Sequence, residues 1–156
     1  PPRSTLFPYT TLFRSHAAHN KPFLGICMGM QVLMSHSAEN GGVSCLDLFQ
    51  GDVLAFADQP NWKPTHKIPQ MGWNQVTQTQ EHPLWQDIEN QSRFYFVHSY
   101  FVQPANPSIT AGTTEFGLNY TSAVAQGKLF AIQAHPEKSA DAGLQLLRNF
   151  CAWNGE

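Results

Sequence analysis

One short segment, Gly25-Ile26-Cys27-Met28-Gly29, constrains the fold more than any other part of the chain. It follows an apolar run over residues 22–26 that is typical of a buried strand. It precedes a stretch from residue 28 whose apolar spacing suits a helix ending before Gly41-Gly42. Glycine, a nucleophile and glycine at this spacing are typical of the sharp strand-to-helix turn that exposes a reactive side chain. The segment therefore predicts an α/β fold.

Cys27 in this turn has two interpretations. A side chain at Gly25 or Gly29 is expected to collide with its neighbours in so tight a turn. A helix N-terminus directly after Cys27 favours the thiolate, which is the reactive form of cysteine. Free cysteines are often simply small buried residues, so the five-residue pattern alone leaves both interpretations open.

A second segment, residues 133–139 with the sequence Gln-Ala-His-Pro-Glu-Lys-Ser, also carries chemistry. His135 at a strand end can act as a general base, and Glu137 can orient its imidazole ring. A lone His-x-Glu is weak evidence. With Cys27 it completes a Cys-His-Glu arrangement that follows the logic of the serine triad.

The remaining patterns predict strands interleaved with helices at both ends of the domain. Strands are expected at residues 53–56, 73–77, 93–102, 110–114, 122–125 and 129–134. A final helix is expected after Ser139 as its N-cap, with an apolar stripe formed by Leu144, Leu147, Phe150 and Cys151. This order indicates an α/β domain whose middle is rich in antiparallel strands.

Residues 1–15 are predicted to lie outside the domain. They start without methionine, contain Thr-Leu-Phe twice and follow no secondary-structure period. They resemble the translation of sequencing-adapter DNA, so we interpret them as an artefact or a disordered arm. The domain is expected to span residues 16–156.

Composition excludes several classes of function. A net charge of -2 offers no footprint for nucleic acid or an anionic membrane, and no apolar run is long enough to span a bilayer. The 3 cysteines are odd in number and scattered, which favours the cytoplasm. The 7 histidines show no metal-ligand spacing, so no metal is expected.

Together the two segments resemble those of class I glutamine amidotransferases. Three further stretches, residues 69–74, 94–101 and 143–150, are similar to the glutaminase subunits of imidazole glycerol phosphate synthase. The resemblance implies a flavodoxin-like α/β fold with a mixed central sheet. Nothing in the chain matches the family's N-terminal strands, so residues 16–156 are expected to form about the C-terminal three quarters of such a domain.

The resemblance also implies a reaction and its residues. Cys27 would attack the side-chain amide of glutamine, with His135 and Glu137 as its triad partners. The Met28 backbone N–H would be one oxyanion donor, and no cofactor is needed. Glutamine would be bound near four residues, which are Gln31, His98, Ser99 and Tyr100. Without the resemblance, Gln31 would be interpreted as a solvated helix residue and His98 as a half-buried strand residue.

In the family, ammonia passes to a (β/α)₈-barrel cyclase subunit that makes imidazole glycerol phosphate and an aminoimidazole carboxamide ribotide in histidine biosynthesis. Trp73, Tyr95 and Lys138 match positions near that junction in a heterodimer, although both aromatic residues could also be core residues. Charged residues make up only 13% of the chain, which fits a face covered by a partner.

Two departures from the family pattern have consequences. Ala134 stands where an aromatic residue usually precedes the catalytic histidine, which is expected to loosen the local packing without removing a catalytic group. The family's N-terminal loop supplies a second oxyanion donor, and its loss would lower the rate on the order of 10²–10³-fold. We therefore expect this chain to be a weak or inactive glutaminase. The alternatives are the glutaminase of another class I amidotransferase and a non-catalytic binding or regulatory subunit.

Overall fold

A computed structural model describes residues 15, 21–60, 62 and 66–156. Its strands are β1 (Phe23–Ile26), β2 (His36–Ser37), β3 (Val43–Ser44), β4 (Gly51–Ala55), β5 (Gln70–Gln75), β6 (Thr77–Gln78), β7 (Arg93–His98), β8 (Tyr100–Pro104), β9 (Thr110–Glu115), β10 (Asn119–Gln126) and β11 (Leu129–Ile132). Over residues 21–60, 62 and 66–156 its two α-helices are α1 (Met28–Gln31) and α2 (Ala140–Ala152). The predicted artefact or arm at residues 1–15 lies outside the described residues, apart from Ser15.

The main sheet mixes parallel and antiparallel pairs, which confirms the predicted fold class. Within the described part of the chain its order is β1-β11-β10-β8-β4-β2-β3, with β9 beside β10 and β6 beside β9. The β1–β11 and β2–β4 pairs are parallel and the others are antiparallel. A separate antiparallel pair, β5–β7, forms a second small sheet.

Both faces of the main sheet are buried. Because successive side chains of a strand point to opposite faces, Phe130 and Ile132 of β11 enter one apolar cluster and Ala131 enters the other. The first cluster includes Phe94 and Phe96 of β7 and Leu146 of α2. The β5–β7 sheet and α2 therefore cover one face of the main sheet.

The parallel pair at the end of the sheet positions the site. Ile26 of β1 lies opposite Ile132 of β11, and the Cys27 N–H donates to the Ile132 carbonyl over 2.9 Å. The carboxyl ends of the two strands therefore meet, and the residues that follow them lie side by side. These residues begin the two segments that the sequence singled out.

The helix after Cys27 is shorter than predicted, since α1 ends at Gln31. The carbonyls of Val32, Leu33 and Met34 accept hydrogen bonds from the loop at residues 46–49, so they cannot continue a helix. The apolar side chains at residues 30, 33 and 34 are nevertheless fully buried. Their spacing therefore reflects burial in the core and not a continuous helix.

The predicted strand at residues 93–102 is two strands in two different sheets. β7 pairs with β5, whereas β8 pairs with β4 and β10, and Ser99 separates them. Dense aromatic and β-branched residues cannot reveal this break, because both halves are equally strand-like.

The final helix begins after Ser139 as predicted, but its apolar stripe is different. Gly143 and Leu146 are its buried residues, whereas Leu144 is 46% exposed. Leu144, Leu147 and Cys151 line an open apolar groove instead. No helix of the described residues combines the length and apolar character that crossing a membrane requires.

Candidate active site

Cys27 occupies a strained turn between β1 and α1. Its backbone has φ 51° and ψ -108°, a positive φ that few non-glycine residues adopt. A Cβ at Gly25 would lie 2.7 Å from the Gly29 carbonyl oxygen, so the first glycine is required. A Cβ at Gly29 would meet nothing within 4 Å, so the predicted collision there is wrong. The turn thus depends on Gly25.

The Cys27 sulfur is half-buried and receives two donors. Gln133 Nε2 lies 3.6 Å from Sγ, and the Met28 backbone N–H also hydrogen-bonds it. Burial raises the pKa of the Cys27 thiol, and this outweighs the lowering by the two donors. The Met28 N–H at the start of α1 does favour the thiolate as expected, but burial has the larger effect and favours the thiol.

His135 and Glu137 form a hydrogen-bonded pair beside the cysteine turn. His135 Nδ1 lies 2.7 Å from Glu137 Oε1 and donates to this carboxylate, which leaves Nε2 as the free base. Within the described part of the chain, no hydrogen bond joins His135 to Cys27 Sγ. In unliganded sites such bonds are often long and tighten only with substrate.

A cleft of about 190 Å³ opens at Cys27. It is lined by Cys27, Met28, Gln31, Glu39, Val97, His98, Ser99 and Tyr100. The structure therefore brings together the predicted nucleophile, the predicted oxyanion donor and all four residues predicted to bind substrate.

Gln31 is a buried wall of this cleft and not a solvated helix residue. Its Nε2 donates to the Tyr100 carbonyl over 3.2 Å and to Gln133 Oε1 over 3.1 Å. These bonds connect α1 to β8 and to the end of β11.

The His98 side chain turns into the core. Its Nδ1 lies 2.7 Å from the Tyr100 carbonyl oxygen and its Nε2 lies 3.2 Å from the Tyr120 hydroxyl. Burial lowers the pKa of His98 to about 4, so the ring is neutral at physiological pH. Both ring nitrogens are occupied, which leaves the backbone of this segment to face the cleft.

Two residues of the site were missed from the sequence. Gln133 follows β11 as Cys27 follows β1, and the pairing of these strands is the signal that could have found it. Glu39 begins a short 3-10 turn, Glu39–Gly41, and lines the cleft with a carboxylate side chain. Nothing in the local pattern distinguishes it from a surface acid.

The three residues predicted at a partner junction lie together on the outer face of the β5–β7 sheet. The Trp73 and Tyr95 rings are 6.1 Å apart and nearly perpendicular, and Lys138 Nζ lies 6.0 Å from the Tyr95 ring centroid. Trp73 is 49% exposed and the neighbouring Met71 is 65% exposed. Trp73 is therefore not a core residue, and Tyr95 is only partly buried.

The described residues contain no group of three or more His, Cys, Asp or Glu side chains that could hold a metal ion. The polar groups of the cleft are instead suited to bind a small polar molecule through hydrogen bonds and one carboxylate.

Comparison with known proteins gives a consistent family. Residues 3–153 match the family model described as glutamine amidotransferase class-I. The protein named imidazole glycerol phosphate synthase subunit HisH from Hydrogenovibrio crunogenus is 64% identical over 140 residues, which are 90% of this chain and 65% of that protein. Subunit HisH 1 from Pseudomonas aeruginosa is 51% identical over 88% of this chain and 65% of its own length. The chain thus spans slightly less than two thirds of these relatives.

Solved structures support the same fold. A glutamine amidotransferase from Thermotoga maritima aligns with a TM-score of 0.57 and 17% identity, over 96% of this chain and 57% of that one. The glutaminase domain of Trypanosoma brucei CTPS, solved with bound acivicin, aligns with a TM-score of 0.60 and 16% identity, over 89% of this chain and 63% of that one. At such low identity the likeness concerns the fold alone.

Proposed function

This chain belongs to the class I glutamine amidotransferase family, and we propose that its cleft hydrolyses glutamine to glutamate and ammonia with Cys27 as nucleophile. The observation that carries the proposal is the meeting of the β1 and β11 ends, which places Cys27 and the His135–Glu137 pair at one edge of the sheet. A nucleophile, a base and a group that orients the base are the parts that covalent amide hydrolysis needs.

The first half of the reaction forms a thioester. His135 Nε2 accepts the thiol proton while Cys27 Sγ attacks the side-chain amide carbon of glutamine. The amide oxygen then carries negative charge, which the Met28 N–H can stabilise. His135 returns its proton to the departing nitrogen, the C–N bond breaks, and ammonia leaves. The Glu137 carboxylate stabilises the imidazolium between these two steps.

The second half releases glutamate. His135 Nε2 accepts a proton from water, the resulting hydroxide attacks the thioester carbon, and the C–S bond breaks. The proton held by His135 returns to the sulfur as the Cys27 thiol. Atoms balance as glutamine plus water giving glutamate plus ammonia.

Substrate recognition falls to the rest of the cleft. The Glu39 carboxylate suits the α-ammonium group of an amino acid. The backbone at Ser99 and Tyr100 suits the polar end of the substrate, and Gln31 holds this backbone in place through the Tyr100 carbonyl.

A partner is expected to receive the ammonia. The relatives are named as subunits of imidazole glycerol phosphate synthase, and we propose that this chain likewise joins a (β/α)₈-barrel cyclase subunit in a heterodimer of histidine biosynthesis. The exposed Trp73 and Met71, with Tyr95 and Lys138 beside them, are the proposed contact surface. The cytoplasm is the proposed compartment, in keeping with the free thiols of Cys27, Cys45 and Cys151.

Covalent labelling tests the proposal directly. A glutamine-mimicking electrophile such as 6-diazo-5-oxonorleucine should label Cys27, and free L-glutamine should protect it. Cys151 is exposed and does not line the cleft, so its reaction with iodoacetamide serves as an internal control. Labelling that glutamine does not slow, or that favours Cys151, would contradict the proposal.

A second candidate function is glutamine binding without hydrolysis. The raised pKa of the Cys27 thiol, which disfavours the reactive thiolate, favours it for the isolated chain. Steady-state glutamate release, measured alone and with the cyclase subunit, separates the two. Labelling without turnover under either condition would support the binding role.

A further inference from the structure

We infer that Gln70, Tyr120 and His98 form a one-way hydrogen-bond chain that holds the Tyr100 wall of the cleft, with Gln70 as the donor at its far end. The three residues come from different strands, β5, β10 and β7, and none of them is a triad residue. The proposed effect on substrate binding rests on the function proposed above. The direction of the hydrogen bonds does not depend on that function.

The hydrogen-bond chain is buried and continuous. The Gln70 side-chain amide lies 2.9 Å from the Tyr120 hydroxyl, Tyr120 lies 3.2 Å from His98 Nε2, and His98 Nδ1 lies 2.7 Å from the Tyr100 carbonyl oxygen. Gln70 and Tyr120 are each only 3% exposed. Water therefore does not substitute for a missing partner.

Counting protons fixes the direction. The Tyr100 carbonyl can only accept, so His98 Nδ1 must carry a proton. Burial and the nearby His135 both keep His98 neutral, so its Nε2 has no proton and must accept one from the Tyr120 hydroxyl. Tyr120 has one proton to donate, and it is now committed to His98.

Gln70 must then donate to Tyr120. In the structure Gln70 Oε1 faces the tyrosine, and Gln70 Nε2 has no hydrogen-bond partner. The two ends of a side-chain amide have nearly the same shape, and the network decides which end is nitrogen. Exchanging the two ends directs Nε2 at the Tyr120 oxygen. The exchange places Oε1 at the buried position where Nε2 has no partner in the structure.

The hydrogen-bond chain ends at the break between β7 and β8 and holds the backbone there. This break presents Ser99 and Tyr100 to the cleft, and the Tyr100 carbonyl receives hydrogen bonds from His98 and from Gln31. Gln70 lies opposite His98 in the β5–β7 pair, so the chain also connects the sheet that bears Trp73 to the cleft. Gln70 and Tyr120 are therefore positioning residues that touch no substrate.

Nitrogen-15 NMR of the histidine rings in the unmodified chain tests the direction. We expect His98 at neutral pH to carry its proton on Nδ1 and none on Nε2. A ring protonated on Nε2, or on both nitrogens, would overturn the inference.

The Gln70→Glu variant gives a second test, because a carboxylate can accept but cannot donate. If Gln70 is a donor, the variant must bind one extra proton at neutral pH, either on His98 Nε2, which the ring spectrum shows, or on the new carboxyl group, which its carbon-13 shift shows. If Gln70 is an acceptor, neither signal will show an added proton. Gln75→Glu, at an exposed position of the same strand, is the matched control.

Labelling kinetics test the role in the cleft. In Tyr120→Phe, which lacks the hydroxyl, we expect the half-saturating concentration of 6-diazo-5-oxonorleucine to rise about tenfold, while the maximal labelling rate changes little. An unchanged half-saturating concentration would overturn the positioning role. Absence of labelling in the unmodified protein would instead contradict the proposed function. The NMR result would then decide the direction of the hydrogen-bond chain.

Discussion

The Ser139 hydroxyl fixes the backbone of His135 through two hydrogen bonds. It donates to the His135 carbonyl over 2.6 Å and accepts from the Tyr95 N–H over 2.9 Å. The His135 N–H in turn donates to the Tyr95 carbonyl over 2.8 Å. Ser139 stands at the N-cap of α2 as predicted, but its side chain caps nothing and instead attaches the histidine segment to β7.

Replacing Ser139 by alanine is expected to impair His135 specifically. The substitution leaves the Tyr95 N–H without its partner, which costs about 1–3 kcal/mol of unfolding free energy. We also expect a lower maximal rate of Cys27 labelling, with little change in half-saturation, because His135, the proposed base, is displaced and the cleft is intact. Urea unfolding and labelling kinetics measure the two effects. Ser108→Ala, at an exposed site, is the control, and equal losses in both variants would contradict the assignment.

Among the elements, the close approach of α2 to the histidine segment depends on one glycine. A Cβ at Gly143 would lie 1.9 Å from the Pro136 carbonyl oxygen and 2.7 Å from the Ser139 Cβ. No rotamer change relieves a clash with backbone. The first turn of α2 can therefore pack against the His135–Lys138 turn only without a side chain there.

Gly143→Ala should destabilise the fold although alanine favours helices. The clash forces α2 away from the histidine segment, at a cost of about 1–3 kcal/mol, which exceeds the gain in helix propensity. Gly29→Ala is the matched control, because a Cβ there meets nothing within 4 Å. Chemical denaturation measures both variants. A Gly143 variant as stable as the Gly29 variant would show that the two elements are not held in contact.

For the domain as a unit, two buried histidines connect folding to pH. His98 lies in the hydrogen-bond chain, and His82 packs against Phe130 and Trp153 with ring centroids 4.8 and 5.0 Å away. Burial lowers the pKa of each to about 4. In the folded state these two histidines therefore bind a proton only near pH 4, whereas in the unfolded chain they bind one near pH 6.5.

Stability should therefore fall as the solution is acidified from pH 6.5 to about 4. Above this window both states hold these rings neutral, and the full stability is present. For His98 the loss is about 3 kcal/mol, and for the more accessible His82 it is smaller. Urea unfolding at several pH values measures it. His98→Gln should flatten the pH dependence, whereas His36→Gln at an exposed site should not. An equal slope in both variants would contradict this account.

Much of the molecule follows from local pattern. Gly25 and Cys27 in a strand-to-helix turn, and His135 two residues before Glu137, indicate the two candidate catalytic segments without any knowledge of the fold. The final helix and most strands also follow from periodicity, because the spacing of apolar residues reflects which side chains are buried. The resemblance drawn from these segments predicted the family, and the family match confirmed it.

The fold class, the turn at Cys27 and the candidate catalytic residues could thus be predicted from the order of amino acids. Their arrangement could not be predicted. The end of α1 at Gln31, the separation of β7 from β8, the hydrogen bond from Gln133 to Cys27 and the position of Glu39 in the cleft emerge only in three dimensions. These features depend on partners that are distant in the chain. Carbonyls that a helix would use are taken by a later loop, and strands become neighbours only when the sheet assembles.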